Sequence, residues 1–224
     1  MSLPETVHTL TQTVERGDRT VTIHPVAVET PRGVLLVDVG YPGELDQVEA
    51  GLGAAGLTLD DVTAVLLTHQ DGDHAGGLAA LLDRTDATVY AHQNCAPYVD
   101  GREHPIKSPA GERYPPAPVD VQLVGGEQFR TDAGPMDVVF TPGHAPGHLS
   151  LHFPEERLLL AADALTADES GLAGPSERFT PEMAQALDSA AGLAERDIDQ
   201  ILCFHGGLVA ADGDRIATVV EAAR

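Results

Sequence analysis

Residues 62–74 read Val-Thr-Ala-Val-Leu-Leu-Thr-His-Gln-Asp-Gly-Asp-His, and Ala75-Gly76-Gly77 follow. The stretch from Val62 to Leu67 is a short apolar run of the kind that forms a buried strand. It delivers the chain into His69-Gln70-Asp71-Gly72-Asp73-His74, where two imidazoles and two carboxylates fall within six residues. A solvated loop would also be acidic, but nothing would require it to sit directly after a buried strand and before two glycines. Histidine and carboxylate at this spacing form the donor set of a metal ion. A helix with small residues at its start is predicted over residues 75–82.

Working upstream, residues 19–30 alternate apolar and polar with a period of two, and Pro31-Arg32-Gly33 supplies turn chemistry. Residues 33–39 form a continuous apolar strand with Asp38 near its end. After Tyr41-Pro42-Gly43, the spacing of Leu45, Val48, Leu52 and Ala55 predicts a helix. Downstream, a short strand is expected over 88–91. Residues 100–118 are a polar, Pro/Gly-rich loop whose length is typical of a lid. Further strands are expected near 119–124, 127–131, 136–140, 147–153 and 157–161. Thr180 at N-cap and Pro181 at N1 should open a helix carrying Met183, Leu187, Ala190 and Ala194 on one stripe. A strand over 200–204 then leads into His205-Gly206-Gly207, and a helix over 212–223 closes the chain. Two halves of similar element order satisfy every apolar face as four layers, two sheets face to face with helices outside. With 224 residues and 42% apolar composition, an α/β single domain over 1–224 is expected.

Of the ten histidines, His69, His74, His144 and His205 follow apolar strands in Gly-rich surroundings. Strand ends are where loops can bring side chains to one point above a rigid sheet. On these residues the chain resembles the metallo-β-lactamase-fold hydrolases, over nearly its whole length. The resemblance starts at Asp38 in Leu35-Leu36-Val37-Asp38-Val39-Gly40. Its central H-x-H-x-D-H motif falls on His69-Gln70-Asp71-Gly72-Asp73-His74. It continues through Thr141-Pro142-Gly143-His144-Ala145-Pro146-Gly147-His148, through Asp163 after an apolar strand, and through His205 before two glycines. Five such motifs in order are specific where one would be weak.

The resemblance implies a four-layer αβ/βα sandwich. It also implies one site of His69, Asp71 and His144 and a second of Asp73, His74 and His205, with Asp163 bridging. Asp38 and His148 would support the ligands without binding metal themselves. One position departs from the motif, since Asp71 stands where the family has its middle histidine. Either Asp71 ligates, making the site richer in carboxylate, or it points away and leaves the first site weak. Two divalent ions are implied; the set suits zinc, while its oxygen donors and its likeness to the non-haem iron facial triad raise iron or manganese.

The chemistry implied is a dinuclear hydrolase whose metal-bridging hydroxide attacks a small ester, lactone or thioester, with Asp73 orienting it and taking its proton. No serine elbow of the G-x-S-x-G type competes for the role. The alternatives on the same fold are a non-haem iron redox protein or dioxygenase, and a small-molecule phosphodiesterase. Lys107, Arg113 and Arg178 lie in long loops, where they are candidates for binding an anionic substrate. His8, His24, His92, His104 and His152 read as surface or strand residues.

Charge narrows the partners. Against 35 Asp+Glu stand 13 Lys+Arg, a formal net charge of −22. No basic window exists to hold a phosphate backbone, so no nucleic-acid partner is expected, nor is a basic membrane-surface helix. Lys107 is the only lysine, and the acidic, arginine-biased composition resembles that of cytoplasmic proteins from salt-adapted, halophilic microbes, in which salt screens the repulsion. Cys95 and Cys203 stand far apart, which predicts buried thiols in a reducing compartment. With a polar N-terminus and no run of about 18 apolar residues, a soluble cytoplasmic protein is expected.

Overall fold

Val34 and Leu36 face one side of their strand, Leu35 and Val37 face the other, and all four are buried. A strand that is apolar at every position must be covered on both faces, and the fold provides this with a sheet on one side and helices on the other. In this computed structural model, which describes residues 2–17, 19–109 and 111–224, the chain forms a four-layer αβ/βα sandwich.

The first half runs β1 (Val7–Thr9), β2 (Gln12–Arg16), β3 (Arg19–Ile23), β4 (Val26–Thr30), β5 (Gly33–Val37), α1 (Leu45–Ala54), β6 (Val62–Leu67), α2 (Gly72–Ala75), α3 (Leu78–Leu82), β7 (Thr88–His92), α4 (Ala96–Val99) and β8 (Val121–Leu123). Its sheet has the order β1-β4-β5-β6-β7-β8, antiparallel up to β5 and parallel beyond it. The second half runs β9 (Gln128–Thr131), β10 (Gly134–Phe140), β11 (Leu149–Phe153), β12 (Leu158–Ala162), β13 (Thr166–Asp168), β14 (Gly171–Ala173), α5 (Met183–Leu193), β15 (Gln200–Cys203), β16 (Gly207–Ala210) and α6 (Gly213–Ala222). Its sheet has the order β16-β15-β12-β11-β10-β9, with β12 and β15 parallel. Between the sheets lie Val28, Leu35, Leu66, Met136, Leu151 and Phe153. Leu159, Ile201, Leu187 and Ile216 pack the outer helices onto the second sheet. Among the described residues no helix is long and apolar enough to cross a membrane.

Several boundaries differ from the sequence expectation. The strand expected over 19–30 is two, because Pro25 offers no N–H to a ladder. β3 therefore pairs with β2 in a separate hairpin, while β4 enters the main sheet. The polar N-terminus supplies β1, held by its register against β4, Val7 opposite Val28. The helix expected over 75–82 is α2 followed by α3, and α2 already starts at Gly72 with Asp71 at its N-cap. Thr180 does not cap α5; Glu182 holds the N-cap position without a side-chain hydrogen bond, and the Thr180 side chain is buried against His144. Residues 100–109 and 111–118 carry neither helix nor strand, as the composition predicts.

Candidate metal centre

The carboxyl ends of β5, β6, β10, β12 and β15 all open on one end of the sandwich. Each is followed by a residue of the proposed set: Asp38, the run His69 to His74, His144, Asp163 and His205. Two of these turns place a non-glycine residue in the left-handed region, Asp38 (φ 62°) and Ala162 (φ 48°). Such conformations cost of order 1–3 kcal/mol and persist only where the surroundings enforce them. Here they turn one carboxylate, Asp38, and the residue before another, Asp163, out of the strand direction and toward the shared point.

Three overlapping groups of donors result: His69 with Asp71 and His144, His69 with His74 and Asp163, and Asp73 with His74 and His205. Within each, the donor atoms lie within 4.8 Å of one another. His144 Nε2 is 3.2 Å from Asp71 Oδ2 and 3.2 Å from Asp163 Oδ2. The other Asp163 oxygen is 3.3 Å from His74 Nε2, and Asp163 Oδ2 also lies 3.6 Å from His205 Nε2. His205 Nε2 is 3.2 Å from Asp73 Oδ2. One carboxylate thus touches donors belonging to both of the expected sites.

The orientation of these atoms tests whether a metal fits. His69 Nε2, His74 Nε2, Asp71 Oδ1 and Asp163 Oδ1 are buried and make no hydrogen bond. Buried polar atoms without hydrogen-bond partners are costly, and these belong to the donor groups that divalent cations would complete.

Behind the donors, hydrogen bonds set the tautomers. In its neutral form His74 donates from Nδ1 to Asp38 Oδ2 at 2.7 Å, which would leave the Nε2 lone pair facing the pocket. Asp38 also accepts from the Thr68 backbone N–H at 2.8 Å and from its hydroxyl at 2.7 Å. Thr68 Oγ1, its own proton thus committed, accepts from His69 Nδ1 at 3.1 Å. His148 Nε2 accepts from the backbone N–H of Asp163 at 3.0 Å, and its Nδ1 donates to Thr141 Oγ1 at 2.8 Å. His148 therefore positions Asp163 through its main chain. Outer contacts of this kind typically account for 10–100-fold in metal affinity. Asp38→Asn should weaken metal binding by ~10–100-fold, read by competition with a chromophoric chelator, and an unchanged affinity would remove Asp38 from the centre.

Electrostatics follow the same layout. Burial pushes His69 down to about 4, so its imidazole is neutral at pH 7, as a ligand must be. Burial pushes His148 in the same direction, well below the usual histidine range. Burial alone would raise Asp71, but His69, His144 and Lys107 outweigh it and hold the carboxyl well below its ordinary value. Asp163 behaves likewise, its burial overcome by His74 and His205.

A family model described as the metallo-beta-lactamase superfamily matches residues 20–205. The chain belongs to the metallo-β-lactamase superfamily. Among its relatives is a probable metallo-hydrolase, YybB, of Bacillus subtilis (strain 168), 28% identical over 191 residues that cover 83% of this chain and 81% of that one. A hydroxyacylglutathione hydrolase of Synechococcus sp. is 34% identical over 181 residues, 76% of this chain and 62% of the relative. Among solved structures, a metallo-beta-lactamase family protein of Thermus thermophilus superposes with a TM-score of 0.79 at 23% identity, over 99% of this chain and 80% of that one. The chain is a metal-dependent hydrolase of this superfamily.

In this superfamily member the donors open into a cavity of about 800 Å³, whose walls include Arg16, Arg19, Tyr41, Lys107, Tyr114 and Phe179. The three loop cations of the sequence reading take different positions. Lys107 reaches into the centre, its Nζ 2.6 Å from Asp71 Oδ2 and 2.6 Å from His144 Nε2. Arg113 lines the cavity, yet its guanidinium donates to the carbonyls of Tyr114, Glu103 and Tyr98, tying down the loop. Arg178 lies 5.1 Å over the ring of Phe179. Arg16 and Arg19, at the tip of the β2–β3 hairpin, and Tyr41 were not singled out by sequence. Their only signal was that the hairpin is too polar for a core strand. Arg16 stacks 4.1 Å over the Tyr41 ring. Burial, with Asp73 beside it, pushes Tyr41 up to about 12, so the phenol keeps its proton.

Proposed function

We propose that the centre holds two divalent metal ions, zinc first among them, and hydrolyses a small ester, lactone or thioester. The observation that carries this reading is the convergence of seven imidazole and carboxylate side chains in overlapping groups, several with buried lone pairs that nothing else satisfies. Asp73, His74 and His205 would hold one ion and His69, Asp71 and His144 the other, with Asp163 between them. When bound, such ions lower the pKa of water toward neutrality and polarise a carbonyl oxygen.

The chain's own residues set up the rest. The imidazoles of His74 and His205 overcome the effect of burial and hold Asp73 below its ordinary value, so it is ionised at neutral pH. It accepts the proton released as water adds to the substrate carbonyl. Tyr41, protonated and on the cavity wall, offers an O–H to the oxygen on which charge develops. Arg16 and Arg19 give the wall positive charge, which favours an acyl group with a second anionic end. Relatives named for hydroxyacylglutathione, a thioester, support testing thioesters first. We further place this activity in a single domain over residues 1–224 and in the cytoplasm, a compartment suited to the two buried, unpaired cysteines.

The experiment is metal analysis of protein purified without added metal, followed by a screen of thioesters, lactones, simple esters and phosphodiesters. Two equivalents of zinc and turnover of a carboxylic substrate are expected. Iron with oxygen consumption and no hydrolysis would overturn the reading, and phosphodiester turnover alone would move it to phosphoryl chemistry.

A further inference from the structure

Lys107 reaches the centre from the loop over 100–118, and two of the atoms it contacts are the ones a metal ion would need. Its ammonium donates to Asp71 Oδ2 at 2.6 Å and to the Nε2 lone pair of His144 at 2.6 Å. His144 can accept there because its Nδ1 side faces Thr180 Oγ1 at 3.3 Å. A divalent ion bonded to the same two atoms would stand within van der Waals reach of the ammonium, with like charges and no water between them. Ammonium and ion therefore exclude one another.

The other pocket differs. Among the described residues, Asp73, His74 and His205 meet no lysine or arginine, and their ion-pair contacts run only among themselves, Asp38 and Asp163. Two further observations fit this asymmetry. Lys107 is the one lysine among 13 Lys+Arg, and its ammonium is a compact point charge where a guanidinium is a planar fork. Asp71, standing where the family motif has histidine, supplies the anion that an ammonium prefers over a neutral imidazole.

The loop is pinned on both sides of Lys107, so withdrawal of its side chain involves only the short segment between the pins. Upstream, the Glu103 N–H donates to Pro97 O at 2.8 Å and the carbonyls of Tyr98 and Glu103 accept from Arg113; downstream, the Tyr114 hydroxyl donates to Gln70 O at 2.7 Å. Next to Lys107, Ile106 is 45% exposed and packs into no core.

We propose that Lys107 is a chain-borne cation that shares the His69–Asp71–His144 pocket with metal, so that the two pockets fill unequally. The Asp73–His74–His205 pocket takes its ion first and tightly. The other pocket takes one only as Lys107 withdraws, which couples its loading to movement of the loop. This rests on the two-metal reading above.

The test is calorimetric titration of metal-free protein with Zn²⁺, comparing the wild type with Lys107→Met and Lys107→Gln, each shown to be folded by its circular dichroism and melting temperature. The wild type should bind in two separated steps. Both variants should tighten the second step by ~10–100-fold, the scale of losing charge-assisted hydrogen bonds, and change the first step little. Hydrogen exchange at residues 104–109 should rise with the second equivalent in the wild type. A wild type that stops at one equivalent while the variants take two would show that Lys107 closes the pocket instead of sharing it, and would overturn the proposal together with the two-metal reading for the native enzyme. Two equivalents bound with equal affinity in all three proteins would overturn the proposal and leave the two-metal reading standing. A single equivalent in all three would overturn both.

Discussion

Asp163→Ala is expected to cut kcat/KM on the best substrate by ~10³-fold or more and to lower the bound metal in both pockets. Among the described residues, no other carboxylate in the centre touches donors of both pockets: one oxygen lies 3.3 Å from His74, the other 3.2 Å from His144 and 3.6 Å from His205. On the two-metal reading, removing it would leave two cations without the carboxylate between them, and metal-derived charge stabilisation is worth several kcal/mol, at about 1.4 kcal/mol per decade of rate. The fold should survive, because the Asp163 backbone N–H keeps its bond to His148 Nε2 whatever the side chain. Steady-state kinetics and metal analysis by mass spectrometry read the two effects together. Retention of full activity with two bound equivalents would show that Asp163 does not bridge the pockets.

Gly143→Ala should cost about 3 kcal/mol of stability, roughly 10 °C in melting temperature, and weaken metal binding at His144 next to it. Gly143 has φ +127°, a conformation that side chains rarely adopt, and a Cβ there would stand 2.2 Å from Ala186 N and 2.4 Å from its Cα. That neighbour is the backbone of α5, so relief would require moving the helix or the loop that carries His144. Gly53→Ala in α1 is the matched control. A Cβ there meets nothing within 4 Å, and the helix should gain up to about 1 kcal/mol. Calorimetric melts of the two variants suffice; equal melting temperatures would refute the packing account.

Much of the fold was legible in local patterns. β6 has the boundaries that its apolar run predicted, and α1 and α6 lie within about two residues of theirs. These segments are long or strongly periodic enough that their own burial decides them. The N-terminal strands were not legible, because β1 has only three residues and gains its partner from β4. Thr180 shows the limit of local chemistry. Its Thr-Pro signal reads as a helix cap, but the buried histidine beside it recruits the hydroxyl instead.

The sequence by itself determined that His69, Asp71, Asp73 and His74 stand together after a buried strand, since six consecutive residues cannot separate far. Through its resemblance to a family, it also pointed to His144, Asp163 and His205 as their partners. Only the tertiary structure brought these distant residues to one end of two sheets, because their approach depends on strand register and on left-handed turns at Asp38 and Ala162. It alone placed Lys107 between Asp71 and His144 and left Arg113 binding carbonyls. A long loop without periodic pattern carries no local signal of where its side chains end. Their positions are decided by the groups they meet, carbonyls for Arg113 and, in a chain of net charge −22, the carboxylate and imidazole of the centre for the single lysine.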